Sequence, residues 1–279
     1  MRVIKTLPQL KRAIADYQAQ HETIALVPTM GALHAGHFAL VEGAQKRANR
    51  IIVSIFVNPA QFAPHEDLAT YPRTFAADRK ALEAMNADVI WAPDAATMYP
   101  DGFATRIVPE GAASVGLEDK FRPHFFSGVA TVVGKLLIQC EPDFALFGEK
   151  DFQQLKVVTQ MARDLGLKTR IVGVPIVREA DGLALSSRNR YLSDAERALA
   201  PALHRVLIEC ASAISTGKPI TAALRHGREA LTKTGFAVDY LEARDAETLM
   251  PVGTSTGGEI RLLVAARIGG TRLIDNVGL

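Results

Sequence analysis

Five short apolar runs, rich in β-branched residues, punctuate the first two-thirds of the chain: TIALVP (23–28), IIVSIFVN (51–58), DVIWAP (88–93), DFALFG (143–148) and TRIVGVP (169–175). Near-continuous apolar runs suit strands covered on both faces, as in a parallel sheet. The stretches between them carry helical spacing. Leu40, Val41 and Ala44 share a face within 37–47, and Leu82 and Met85 do so within 75–85. Similar stretches fall at 10–17, 129–138 and 152–165, the last stopping at Gly166, a natural C-terminal cap. Strand alternating with helix predicts βαβ units, hence an α/β fold with a Rossmann-like, doubly wound parallel sheet.

The grammar changes near residue 177. Ser193-Asp-Ala-Glu196 has the form of a capping box opening a helical stretch, which Pro201 should divide. A second helix is expected over about 221–234. AVDYLEARD (237–245), EIRLLVAARI (259–268) and TRLIDN (271–276) then read as strands of a small antiparallel sheet. Residues 1–176 are therefore expected to form one domain, and 177–279 a smaller C-terminal α+β domain.

Charge narrows the function classes. The chain has 279 residues and a formal net charge of +2, with basic and acidic residues interleaved. A nucleic-acid backbone reader would carry a basic face, and none is legible here. Two cysteines, Cys140 and Cys210, make neither a disulfide framework nor a zinc cluster, which fits a reducing cytoplasm. The opening MRVIKTLPQLKRAIADYQAQ lacks the apolar core of a signal peptide, and no run approaches the ~18 apolar residues of a membrane span.

The chemistry gathers where predicted strands end. After TIALVP comes PTMGALHAGH, with His34, Gly36 and His37 at a strand–helix junction. Ligands of open α/β sheets bind beyond the carboxyl ends of strands, where helix N-termini present free N–H groups. Gly31 and Gly36 permit close backbone approach, and two histidines three apart can donate hydrogen bonds to one phosphate group. The competing reading is an incidental pair. A metal pair fits less well, because His65 and His124 stand at no metal-ligand spacing. The stretch is neither a Gly-x-Gly-x-x-Gly fingerprint nor a P-loop.

The next strand ends in FVNPAQF, with Asn58 and Gln61 as an amide pair or simply as turn residues. FGEKDFQQL offers Lys150 for phosphate, Asp151 for a helix cap or a ribose hydroxyl, and Gln154. LALSSRNRYL contributes Ser186, Ser187 and Arg188, two hydroxyls and a guanidinium suited to polyphosphate.

Taken together, PTMGALHAGH, FVNPAQF, YPRT, FGEKDFQQL, VGVP…DGLALSSRN and LVAAR…TRLIDN resemble, in order and over nearly the whole chain, the pantoate–β-alanine ligase (pantothenate synthetase) family. That family belongs to the nucleotidylyltransferase superfamily with a HIGH-type motif. The resemblance implies ATP-dependent joining of pantoate to β-alanine through a pantoyl adenylate, with release of pyrophosphate and AMP. It implies that His34 and His37 stabilise the phosphates and that Lys150, Ser186, Ser187 and Arg188 hold the triphosphate. Gly148 and Asp151 would meet the ribose, and backbone near Val177 the adenine. Gln61 and Gln154 would bind pantoate oxygens beside an apolar wall of Met30 and Phe147. Asn58 would order the catalytic site. Tyr71 and Arg122 fall on the β-alanine side, and Asp78 matches a Mg2+ carboxylate. The smaller domain would close over the ATP site, with Phe62 to Thr70 as a gate, in a cytoplasmic homodimer.

Two positions depart from the family's pattern. FRPHFFSGV puts His124 and Phe125 where the family commonly has Gly-His, and Ala60 stands where methionine is more usual. The alternatives are a nucleotidylyltransferase of the same superfamily acting on another small substrate, and a nucleotide-binding regulator. A tRNA synthetase would need more length and a basic domain.

Overall fold

A computed structural model describes residues 1–63, 68–252 and 258–279. His65 and part of the 62–70 stretch lie outside the described residues. The chain divides into two compact units. The first comprises Met1–Ser114, Glu118–Glu149 and Gln154–Pro175; the second comprises Val115–Leu117, Lys150–Gln153 and Ile176–Leu279.

In the first unit, β1 (Arg2–Ile4), α1 (Leu7–Ala19), β2 (Ile24–Thr29), α2 (Ala35–Gln45), β3 (Arg50–Ile55), α3 (Phe75–Ala84) and β4 (Val89–Trp91) follow in order. Then come α4 (Ala95–Met98), α5 (Glu118–Phe121), α6 (Phe125–Cys140), β5 (Phe144–Gly148), α7 (Phe152–Asp164, whose first two residues group with the second unit) and β6 (Arg170–Val174). All pairings in the sheet are parallel, in the order β1-β4-β3-β2-β5-β6. Five strands match the apolar runs. The sixth, β1, is a three-residue edge strand paired with β4 from Arg2↔Val89 to Ile4↔Trp91.

Right-handed crossovers put α2 and α3 on one face and α1, α6 and α7 on the other. Ala25, Val27, Ile51, Val53 and Ile90 accordingly pack with Leu40, Val41, Ala44 and Leu82. Ile24, Leu26, Ile52 and Trp91 alternate with them and are fully buried. Strand order reverses at β2, which lies between β3 and β5. A crevice therefore opens at the carboxyl ends of β2 and β5.

The second unit holds α8 (Asp194–Leu199), α9 (Ala202–Ser215), α10 (Ile220–Lys233) and the antiparallel sheet β7 (Ala237–Asp245), β8 (Ile260–Ile268) and β9 (Thr271–Gly278). Ser193 and Glu196 form the expected capping box, and the helix breaks before Pro201. Taken together, the span Asp194–Ser215 is by length and composition alone long and apolar enough to cross a membrane. Its apolar side is nevertheless committed to a protein core, where Leu203, Val206, Leu207 and Cys210 pack with Leu231, Leu241, Leu262 and Val264.

Candidate active site

The loop between β2 and α2 is shaped before any ligand is considered. Gly31 and Ala32 both take left-handed backbone, at φ +85° and +52°. Asp78, reaching across from α3, accepts hydrogen bonds from the Ala32 N–H (3.0 Å) and the Leu33 N–H (2.9 Å). The Thr74 hydroxyl lies 3.1 Å from both carboxylate oxygens. A Cβ on Gly31 would stand 3.2 Å from Asp78 Oδ2 and 3.3 Å from the Ile55 side chain, so the position is tight as well as left-handed. The Thr29 hydroxyl donates to the Ser54 carbonyl at 2.7 Å, tying the end of β2 to β3.

Asp78, the carboxylate matched above to Mg2+, is thus engaged by the loop. The side chain is 3% exposed and turned into the loop, where backbone donors engage both oxygens. Asp78 anchors the loop. Among the described residues no group of three or more His, Cys, Asp or Glu side chains is placed to hold a metal ion.

The loop delivers the two histidines to the first turn of α2, where they cap the helix and each other. His34 Nδ1 accepts the Gly36 N–H at 3.1 Å, and His37 Nδ1 accepts the His34 N–H at 3.3 Å. Their ring centroids are 4.1 Å apart. A ring nitrogen that accepts carries no proton, so in both neutral rings the proton sits on Nε2. Two N–H donors are thus fixed at a helix N-terminus whose own dipole favours an anion.

The turn after β3 is assembled from amides. Asn58 is 1% exposed and caps the 59–61 turn, its Oδ1 accepting the Ala60 N–H (3.2 Å) and the Tyr99 hydroxyl (2.8 Å). Its Nδ2 donates to Gln61 Oε1 (3.1 Å) and to the Gly128 carbonyl (3.2 Å). Both acceptor and both donor capacities are used. Asn58, expected above to order the catalytic site, has all four of these hydrogen bonds committed to the protein. Gln61 Nε2 is directed at Met30 Sδ, 3.3 Å away. Beneath the turn, a Cβ on Gly128 would collide with the Ala60 carbonyl oxygen, so α6 can approach this closely only with glycine there. Sequence reading missed Gly128 and Tyr99, since nothing local marks either one.

Other expected residues of this unit gather along the same edge. Phe147, 5% exposed, is next to last in β5, and Gly148, where a Cβ would meet nothing within 4 Å, ends the strand. Gln154 lies half-buried in the first turn of α7. Tyr71 is buried, edge-on to Phe62 at 5.8 Å. Arg122 donates to the Gln61 carbonyl (3.2 Å) and stacks on Phe125, its guanidinium carbon 3.7 Å from the ring centroid. Phe125 is buried by that stack, while His124 is exposed at the start of α6 and caps nothing with its side chain.

Lys150, Asp151, Val177 and Ser186 to Arg188 belong to the second unit. Lys150 lies in the 3-10 turn Glu149–Asp151, and its carbonyl accepts from Asn276 Nδ2 at 3.0 Å. Ser186 caps the turn Ser187–Tyr191, its hydroxyl accepting the Arg188 N–H at 3.2 Å. Asn189 Nδ2 pins that turn by donating to Glu179 Oε1 and the Ala184 carbonyl, both at 3.1 Å. The Val177 carbonyl accepts the Leu185 N–H. Arg178 grips Asp275 through two nitrogens, at 2.6 and 2.9 Å, where it forms an antiparallel bridge with Ala184.

A parallel sheet with tautomer-fixed N–H donors at its switch point defines an α/β protein of the phosphate-handling kind. Comparison with known proteins sharpens that class. Residues 2–278 match the family model described as pantoate-beta-alanine ligase. A pantothenate synthetase of Nitrobacter hamburgensis is 59% identical over 99% of this chain and 98% of its own length, and one of Nitrobacter winogradskyi is 61% identical with the same coverage. The crystal structure of pantothenate synthetase from Thermus thermophilus superposes with a TM-score of 0.94, at 46% identity and 99% coverage of both chains. Pantoate-beta-alanine ligase from Francisella tularensis, complexed with beta-gamma ATP and beta-alanine, gives 0.83 at 33% identity, covering 99% of this chain and 97% of its own. The chain belongs to the pantoate–β-alanine ligase family.

Proposed function

We propose that the chain joins pantoate to β-alanine at the expense of ATP. A pantoate carboxylate oxygen attacks the α-phosphorus, the bond to pyrophosphate breaks, and pantoyl adenylate forms. The β-alanine amine then attacks the acyl carbon, the acyl–phosphate bond breaks, AMP departs, and the ammonium proton passes to solvent. A carboxylate nucleophile needs no general base for the first step. Catalysis there rests on alignment and on neutralising charge that builds on the phosphate oxygens.

The single observation that carries this reading is the reciprocal cap of His34 and His37, in which each Nδ1 accepts a backbone N–H at a helix start and the proton of each ring is held on Nε2. These Nε2–H groups supply transition-state hydrogen bonds without having to reorient. In the same unit, Gln61 and Gln154 receive the oxygens of pantoate and Met30 and Phe147 face its methyl groups. Open space at Gly148 gives a nucleoside room against the end of β5. Lys150, Ser186, Ser187 and Arg188 take the triphosphate, Asp151 the ribose, and backbone at Val177 the adenine. Tyr71 and Arg122 serve the β-alanine side, where Phe125 replaces the expected histidine. The ATP and β-alanine named for the Francisella protein support this ligand set. With Asp78 turned inward, Mg2+ arrives as the counter-ion of the phosphates rather than in a protein cage. On the strength of the resemblance the enzyme is assigned to the cytoplasm as a homodimer, a state that sedimentation analysis checks directly.

The test mixes protein, ATP, Mg2+, pantoate and β-alanine, omits each in turn, and follows AMP. The ligase releases AMP only with the full set. Pyrophosphate and a stable adenylylated or dinucleotide-like product formed without β-alanine, with no AMP released, would favour a nucleotidylyltransferase that stops after transfer.

A further inference from the structure

We propose that Tyr99, through Asn58, fixes which end of the Gln61 amide faces the acid substrate, making Tyr99 a positioning residue for pantoate. The inference rests on the assignment of Gln61 to pantoate made above. An amide side chain presents either a donor or an acceptor depending on a half-turn about its last bond, and the choice is made by its neighbours. Here the neighbours form a chain. The Tyr99 hydroxyl and the Ala60 N–H both point at Asn58 Oδ1, so that atom must be the oxygen. Asn58 Nδ2 then faces the Gly128 carbonyl and Gln61 Oε1, and both receive a proton from it. Gln61 is left with Nε2 directed toward Met30, on the side assigned to pantoate. The outcome is a donor for an acceptor oxygen of the substrate.

Tyr99 is suited to a one-way part. Burial raises its phenol to about 12, so the hydroxyl keeps its proton and remains a donor. The ring is wedged between Phe56 and Phe103, with centroids at 6.2 and 5.2 Å. The phenol is carried by the segment just after α4, 41 residues along the chain from the amide it orients. Removing only the oxygen leaves the ring packing in place. It strands one acceptor site of an amide that is 1% exposed and lets the relay loosen.

The experiment compares Tyr99→Phe with the native enzyme by steady-state kinetics in each substrate, with the thermal midpoint alongside. The expected result is a pantoate KM raised about three- to tenfold, the range given by loss of one neutral hydrogen bond. The KM values for ATP and β-alanine should stay within a factor of about two, well below one hydrogen bond. In a Gln61→Ala background the same substitution should leave the pantoate KM unchanged, because the relay has lost its last member. An unchanged pantoate KM, equal rises for all three substrates, or full additivity with Gln61→Ala would each overturn the relay while leaving the ligase assignment standing. Absence of pantoate-dependent AMP release by the native enzyme would overturn both.

Discussion

The two turns at the carboxyl edge of β2 and β3 leave neighbouring, parallel strands, yet they are anchored by opposite means. The histidine loop closes around a buried charge, with Asp78 gathering two backbone N–H groups and a hydroxyl. The amide turn closes around neutral dipoles, with Asn58 placed between Tyr99, Ala60, Gln61 and Gly128. A buried carboxylate is tolerated only when it is saturated with donors, so it holds a loop tightly but fails abruptly when removed. A saturated neutral amide is weaker per bond, and what it fixes is direction rather than position. The first arrangement suits a site that must stabilise charge in a transition state. The second suits one that must distinguish donor from acceptor on a small ground-state ligand.

Substitutions can break or sharpen that contrast. The largest effect is expected at the imidazoles: His34→Ala or His37→Ala should lower kcat about 100- to 1000-fold, as for loss of one preorganised oxyanion donor, with much smaller changes in KM for ATP. Comparable losses in both parameters would mean that the rings bind the ground state, and the contrast between the two turns would vanish. Next, Asp78→Ala should destabilise the protein by about 3 kcal/mol, since it leaves two buried N–H groups without an acceptor, and urea unfolding gives this directly. A loss below about 1 kcal/mol, the level of an ordinary surface change, would show the charge to be dispensable as an anchor. Gly128→Ala presses a methyl group into the Ala60 carbonyl and should cost about 1–3 kcal/mol of stability. It should also raise the pantoate KM while sparing ATP, and a rise in the ATP KM instead would place the amide turn on the nucleotide side. The smallest effect on stability belongs to Gly148→Ala, within about 0.5 kcal/mol, because the new methyl meets open space. Its signature is a weakened ATP affinity by titration calorimetry, and unaltered affinity would remove Gly148 from the nucleoside site.

The sheet was readable because its signal is local. Four of the six strands, β2 to β5, are largely buried and wrote themselves as apolar runs, and β6, a half-buried edge strand, did so through Ile171, Val172 and Val174. β1 escaped because three residues at an edge, with Arg2 leading, carry too little hydrophobic pattern. The candidate site was legible as chemistry only where its residues follow strand ends within named motifs, as His34, His37 and Gln61 do. The anchoring contact of Asp78 was illegible for a physical reason: on α3 it looks like any acid on an amphipathic helix, and the N–H groups it accepts from lie 45 and 46 residues away. Gly128 looks like a small residue in an apolar helix until the Ala60 carbonyl is seen above it, 68 residues earlier in the chain. What sequence pattern conveys is periodicity and chemistry near one spot, whereas anchoring is a matter of who arrives from elsewhere.

Ala32 carries the last consequence. An L-residue held at φ +52° sits in a basin that disfavours it by roughly 1–2 kcal/mol, and its N–H is one of the two that Asp78 secures. The segment is therefore latched rather than relaxed: releasing the carboxylate gives it somewhere else to go, and it would snap into another conformation instead of merely slackening. A glycine at position 32 would empty that reservoir of strain, and the imidazoles would then keep their station with less help from α3.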